Sequence, residues 1–153
     1  ALAFGMKVIA NHKYPERDKM EDVVFVDSDK LFSESDLVSL HAPLTKENEG
    51  LINAPLLEMM KPSAFLINTA RGGFINEQDL KSALESGKIA GAALDVLSAE
   101  PPADGHALVG IENCLITPHV AWASKEARER LMQETILNIK GFLEGNTRNA
   151  VNF

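Results

Sequence analysis

Ala64-Phe65-Leu66-Ile67-Asn68-Thr69-Ala70-Arg71 is the stretch that decides the fold. An apolar run passes directly into an amide, a hydroxyl and a guanidinium. The same pattern returns at Gly91-Ala92-Ala93-Leu94-Asp95 and at Cys114-Leu115-Ile116-Thr117-Pro118-His119. In an open parallel sheet, ligands bind in the crevice beyond the carboxyl ends of the strands, so a strand that delivers Arg, Asp or His there is placing chemistry. Arg71, Asp95, Glu100 and His119 are the candidates that such a sheet would gather.

Working outward, strands and helices alternate. Residues 6–10, 23–26 and 37–41 read as further strands, the last ended by Ala42-Pro43. Residues 28–34 form a short amphipathic helix, and residues 53–60 another that packs Leu56, Leu57 and Met60 before Pro62 stops it. Asn76 is an N-cap with Asp79 at the capping-box position, and Gly87 ends that helix. The last helix starts near Ser124, where Met132, Ile136, Ile139 and Leu143 predict one buried face, and Gly145 ends it. Strands alternating with helices of this length imply an α/β fold: a Rossmann-like parallel sheet with helices on both faces.

At 153 residues, 45% of them hydrophobic, the chain has the size of one ordinary domain and can bury a core. A net charge of -7, with no run of Lys or Arg, argues against a nucleic-acid partner. Cys114 is the single cysteine and lies in an apolar stretch, so a disulfide framework and a thiolate metal cluster are both excluded and a reducing cytoplasm fits. His12 and His106 lack partners at metal-ligand spacing, so no metal site is expected. No apolar run has bilayer length, so no membrane partner is expected, and the first residues carry no secretion signal. Ala1-Leu2-Ala3-Phe4-Gly5 reads like the last turn of a helix with its glycine stop, so the chain is expected to open inside a strand-helix-strand unit.

The segments Leu40-His41-Ala42-Pro43-Leu44-Thr45, Asn68-Thr69-Ala70-Arg71-Gly72-Gly73, Gly91-Ala92-Ala93-Leu94-Asp95-Val96, Glu100-Pro101 and Thr117-Pro118-His119 resemble, in order and spacing, the D-isomer-specific 2-hydroxyacid dehydrogenases. The stretch from His119 to Arg128 is most similar to their glycerate dehydrogenase and hydroxypyruvate reductase branch. The resemblance implies a cofactor domain whose first strand and glycine-rich turn are absent, since no GxGxxG occurs. It divides the chain into an incomplete NAD(P)-binding domain, 1–148, and the start of a segment returning to a substrate domain, 149–153. The expectation is a C-terminal portion of a longer enzyme, inactive by itself without the backbone donors for pyrophosphate.

Oxidising a 2-hydroxy acid requires a base for the hydroxyl proton, a cation for the carboxylate and a nicotinamide beside C2. The resemblance makes His119 the base with Glu100 as its partner, Arg71 the carboxylate anchor, and Asp95 the partner of the nicotinamide carboxamide. It puts Thr69 and Ala70 beside the nicotinamide ring and His41 and Pro43 on the adenosine side. From the residues alone, blander readings stay open. His119 could simply end a strand, Arg71-Gly72-Gly73 could be an exposed turn, Asp95 could cap a loop, His41 could be satisfied by backbone, and Trp122 could be packing.

After residues 8–10 the chain reads Asn11-His12-Lys13 where NAD-preferring relatives place an acid, and Lys13 and Arg17 would suit a 2′-phosphate, so both NAD and NADP stay open. The implied reaction is reduction of hydroxypyruvate to D-glycerate, with a small 2-hydroxy or 2-oxo acid as partner and a homodimer as the parent. Two alternatives remain: another D-2-hydroxy acid such as 3-phosphoglycerate, or a non-catalytic, dinucleotide-sensing corepressor-like module.

Overall fold

The computed structural model of the protein describes residues 1–17 and 19–151. Two compact units divide it, Ala1–Pro118 and the part from His119 on, and each is described by itself.

The first unit holds the strands β1 (Val8–Ala10), β2 (Val23–Phe25), β3 (Leu37–Leu40), β4 (Phe65–Asn68), β5 (Gly91–Leu94) and β6 (Cys114–Ile116). Between them run the helices α1 (Ser28–Glu34), α2 (Ala54–Met59) and α3 (Glu77–Glu85). β3, β4, β5 and β6 pair in that order, all parallel, so the α/β architecture with a parallel sheet flanked by helices is what the chain adopts. β1 and β2 pair with each other in a second parallel sheet, and no described strand bridges β1 and β3.

The register aligns Leu40, Asn68 and Leu94 across β3, β4 and β5, which brings the three carboxyl ends level. Side chains alternate across a strand. Val38, Leu66 and Ala92 therefore share one face and are buried in the core with Phe32, Leu57, Leu80 and Leu84 of the helices. Leu37, Phe65 and Leu115 lie on the opposite face and are exposed. Burying a Leu or Phe side chain contributes about 1.5–3 kcal/mol, so the helix-covered face supplies most of the cohesion.

Local chemistry sets the helix ends. Asp27 accepts from the Lys30 N–H to start α1, and Asn76 accepts from the Gln78 and Asp79 N–H groups to start α3. Gly87, at φ +69°, takes the left-handed conformation that stops α3. The capping box expected at Asp79 is not closed. Its carboxylate is one methylene shorter than Glu, and instead it accepts the Ala54 N–H at 2.9 Å. It thereby caps α2, whose own N-cap, Asn53, makes no side-chain cap bond. β1 starts two residues later than expected and ends where expected, and β2 and β3 each end one residue earlier, at Phe25 and Leu40.

The second unit holds the helix α4 (Lys125–Leu143), which starts where Ser124 accepts the Ala127 N–H. The expected buried face is a correction: Met132, Ile136, Ile139 and Leu143 are 59%, 53%, 57% and 78% exposed. Their spacing fixes that one side of α4 is apolar, but it says nothing of what covers that side. Among the described residues, no helix is long and apolar enough to cross a membrane.

Candidate active site

The carboxyl end of β4 is shaped by a residue that sequence reasoning passed over. Asn68 is fully buried, its side-chain amide donates to the Arg71 carbonyl at 2.9 Å, and its oxygen accepts the Ala70 N–H at 3.0 Å. A buried amide is costly unless it is hydrogen-bonded, and here both of its ends are used. Asn68 thus folds Thr69-Ala70-Arg71 into a fixed loop. The signal was present in an Asn ending an apolar strand just ahead of a turn.

Arg71 leaves that loop with extended backbone, its guanidinium exposed and one nitrogen donating to the Ala70 carbonyl at 2.7 Å. Across from it, the loop after β3 is held by Asn48, which accepts the Thr45 N–H at 2.7 Å and donates to the Pro43 carbonyl at 3.0 Å. The Gly50 N–H donates to the Gly73 carbonyl and the Ile52 N–H to the Phe74 carbonyl, which ties the two loops together. Between them lies an open cleft of about 800 Å³, lined among others by His41, Pro43, Leu44, Thr69, Ala70 and Arg71. Five of the expected site residues therefore share one cleft. His41 also hydrogen-bonds the Ser39 hydroxyl through Nε2 at 2.8 Å, so a side chain, not the backbone, satisfies that nitrogen.

Asp95 follows β5 and is buried, with its N–H on the Asn68 carbonyl and its carboxylate accepting the Thr117 hydroxyl at 2.5 Å. The register explains the partner, since Leu94 aligns with Ile116. Glu100 lies five residues on and accepts the Leu97 N–H at 2.9 Å. Neither is among the residues lining the cleft; both stand on the neighbouring loop of the same sheet end. His119 opens the second unit with φ +54°, and the Trp122 indole N–H donates to its carbonyl at 2.8 Å. Among the described residues, no three His, Cys, Asp or Glu side chains gather to hold a metal ion.

At the end of β1, Asn11 donates to the Val26 carbonyl, and Lys13 and Arg17 both stand over the Tyr14 ring, 5.9 and 5.4 Å from its centroid. Lys13 also meets Glu47 at 3.5 Å, an exposed pair of small energetic weight.

A nicotinamide dinucleotide suits this donor set. The cleft has ligand-site size, mixes apolar walls with an arginine fork, and opens beyond the carboxyl ends of adjacent parallel strands.

The model of the D-isomer specific 2-hydroxyacid dehydrogenase NAD binding domain matches residues 1–121. The chain is 45% identical, over 99% of its length, to a hydroxypyruvate reductase from Blautia hydrogenotrophica strain DSM 10507, of which it covers 48%. Among solved structures, it superposes with a TM-score of 0.87 and 32% identity on the NAD-complexed D-isomer specific 2-hydroxyacid dehydrogenase of Lactobacillus delbrueckii ssp. bulgaricus, covering 99% of this chain and 50% of that one. An acyclic imino acid reductase, Bsp5, in complex with NADPH and D-Arg gives a TM-score of 0.90 and 39% identity, covering 99% of this chain and 48% of that one. The chain thus spans about half the length of the relatives it matches, and it belongs to the D-isomer-specific 2-hydroxyacid dehydrogenase family as an NAD-binding domain.

Proposed function

We propose that this chain is the cofactor-binding portion of a longer oxidoreductase that reduces hydroxypyruvate to D-glycerate, with 149–153 starting the return to a substrate domain. The observation that carries the reading is the cleft in which Arg71 stands with Thr69 and Ala70 at the end of β4, opposite His41 and Pro43 at the end of β3. The division between the β1–β2 and β3–β6 sheets supports the portion reading, because a strand pairing with both β1 and β3 would make one continuous sheet. The 45% identity to a hydroxypyruvate reductase supports the substrate.

Arg71 holds the substrate carboxylate through two parallel hydrogen bonds, for which a planar guanidinium is suited and a lysine point charge is not. His119 delivers the proton to the C2 oxygen during reduction and takes it back in the reverse direction, with Glu100 as its partner in that role. Asp95, oriented by Thr117, holds the cofactor's carboxamide while Thr69 and Ala70 border the ring. The bound cofactor supplies the hydride to C2.

Lys13 and Arg17, both gathered at Tyr14, support acceptance of a 2′-phosphate, so the enzyme uses NADPH as well as NADH. The half-buried, solitary Cys114 supports a cytoplasmic setting, and the homodimer rests on the family resemblance.

The test is steady-state turnover of the full-length protein, followed by nicotinamide absorbance, with hydroxypyruvate, glyoxylate, pyruvate and 3-phosphohydroxypyruvate. Hydroxypyruvate is expected to give the highest kcat/KM, and no turnover of any of the four would remove the enzyme reading.

A further inference from the structure

His106 has no partner at metal-ligand spacing in the sequence, and in the structure it meets a carboxylate from another element. Its Nε2 lies 3.2 Å from Glu77 Oε2, and its Nδ1 accepts the Leu108 N–H at 3.3 Å. Those two contacts assign the tautomer: with Nδ1 occupied as acceptor, Nε2 carries the proton and donates to the carboxylate. Glu77 meanwhile accepts both donors of Ser98, the N–H at 2.8 Å on Oε1 and the hydroxyl at 2.7 Å on Oε2. The His106 and Glu77 side chains are only 10% and 15% exposed. Three elements meet there: the first residue of α3, the turn after β5 and the loop before β6.

What this carboxylate grips is the turn that carries Glu100. The Leu97 N–H donates to Glu100 Oε1 at 2.9 Å, and Ser98 is the next residue. From another side Gly72 presses on the same peptide. A Cβ there would lie 1.9 Å from the Leu97 carbonyl carbon and 2.3 Å from the Ser98 nitrogen, so no larger residue fits while both backbones stay in place. Arg71 immediately precedes Gly72. The peptide between Leu97 and Ser98 is thus fixed against the Arg71 loop by contact and against α3 by hydrogen bonds.

We infer that Glu77, Ser98 and His106 are positioning residues: a carboxylate-centred clamp that sets residues 97–100 and, through the Leu97 N–H, the place of the Glu100 carboxylate. Charge-assisted hydrogen bonds screened from water are strong and short-ranged enough to hold such a turn, and a catalytic group displaced by about 1 Å can lose about a hundredfold in rate. One carboxylate holding both the backbone and the hydroxyl of Ser98 fixes the turn's path together with its rotamer. Glu77, in the first turn of α3, is further favoured by the helix N-terminus. The inference rests on the proposed role of Glu100, and the experiment separates the two.

In the full-length protein, kcat and KM for hydroxypyruvate are measured across pH for the wild type and for Glu77→Gln, Ser98→Ala, His106→Ala, His106→Gln and Glu100→Gln. Glu77→Gln and Ser98→Ala are expected to lower kcat about tenfold, to leave the KM for NADH within about twofold, and to displace the pH profile in the same direction as Glu100→Gln. His106→Gln, which keeps an N–H for Glu77, is expected to recover most of what His106→Ala loses. If Glu77→Gln does not fold, Ser98→Ala, which removes a single hydroxyl from the turn, carries the same expectation. Clamp variants that lose thermal stability but keep the wild-type kcat and pH profile, while Glu100→Gln moves both, overturn the inference and leave the function standing. A Glu100→Gln enzyme indistinguishable from wild type, or a wild type without turnover, overturns the functional reading and the inference with it.

Discussion

β1 with β2 and β4 with β5 are built from the same kinds of residue, yet they reach different states. Val8, Ile9, Ala10, Val23, Val24 and Phe25 are all apolar, and not one is buried; Val24 is 61% exposed. Leu66, Asn68 and Leu94 are buried almost completely. The difference is cover: α2 and α3 close over the inner face of β4 and β5, whereas the core cluster includes no residue of β1 or β2. An isolated two-stranded sheet is marginal in water, and hydrophobicity alone does not change that. Polar groups that need fixing follow the same division. The Asn68 amide, the Asp95 carboxylate and the Glu77–Ser98–His106 clamp all belong to the covered sheet and its loops, while the cations expected to read the cofactor's ribose stand at the open one.

The contrast is sharpened most by paired truncations. Leu66→Ala, in the covered sheet, is expected to cost about 2–5 kcal/mol in urea unfolding, and Val24→Ala, in the open sheet, under about 0.5 kcal/mol. Equal costs would erase the distinction. Next comes Gly72→Ala, which forces the Leu97–Ser98 peptide away from the Arg71 loop and is expected to cost about 2–3 kcal/mol, read by the same unfolding midpoint. A variant as stable as wild type would mean that the two loops are not in the contact described.

The smallest effect belongs to Cys114, on β6 at the edge of the covered sheet. Burial pushes its thiol above the ordinary 9.0, so the folded state favours the neutral form. The sign follows from linkage: the contribution is intact below about pH 9 and is lost as pH rises through the folded value. The unfolding midpoint of wild type relative to Cys114→Ala should therefore decline from pH 8 to pH 10, and iodoacetamide should label the native thiol more slowly than the unfolded one. A flat difference across that range would place the thiol in water.

Much of this was legible beforehand because it is local. α1 spans the 28–34 that its sequence predicts, Asn76 caps α3 as its spacing requires, and Gly87 and Gly145 take positive φ after their helices. The cleft was legible for the same reason, since Thr69, Ala70 and Arg71 simply continue a strand. What escaped depends on chain segments returning to one another. Asp79 reaches Ala54 across 25 residues, and Glu77 reaches Ser98 across 21, so no short window contains either pair. The stripe on α4 failed differently: period identifies an apolar side, and only packing can say whether anything lies against it.

The most direct test of the central claim is Arg71→Lys in the full-length protein, assayed with hydroxypyruvate and, in parallel, for NADH binding. Loss of the paired hydrogen bonds predicts a fall in kcat/KM of about a hundredfold with cofactor affinity nearly unchanged. A lysine enzyme with wild-type kcat/KM would contradict the account, because the substrate carboxylate would then be held elsewhere than at the end of β4.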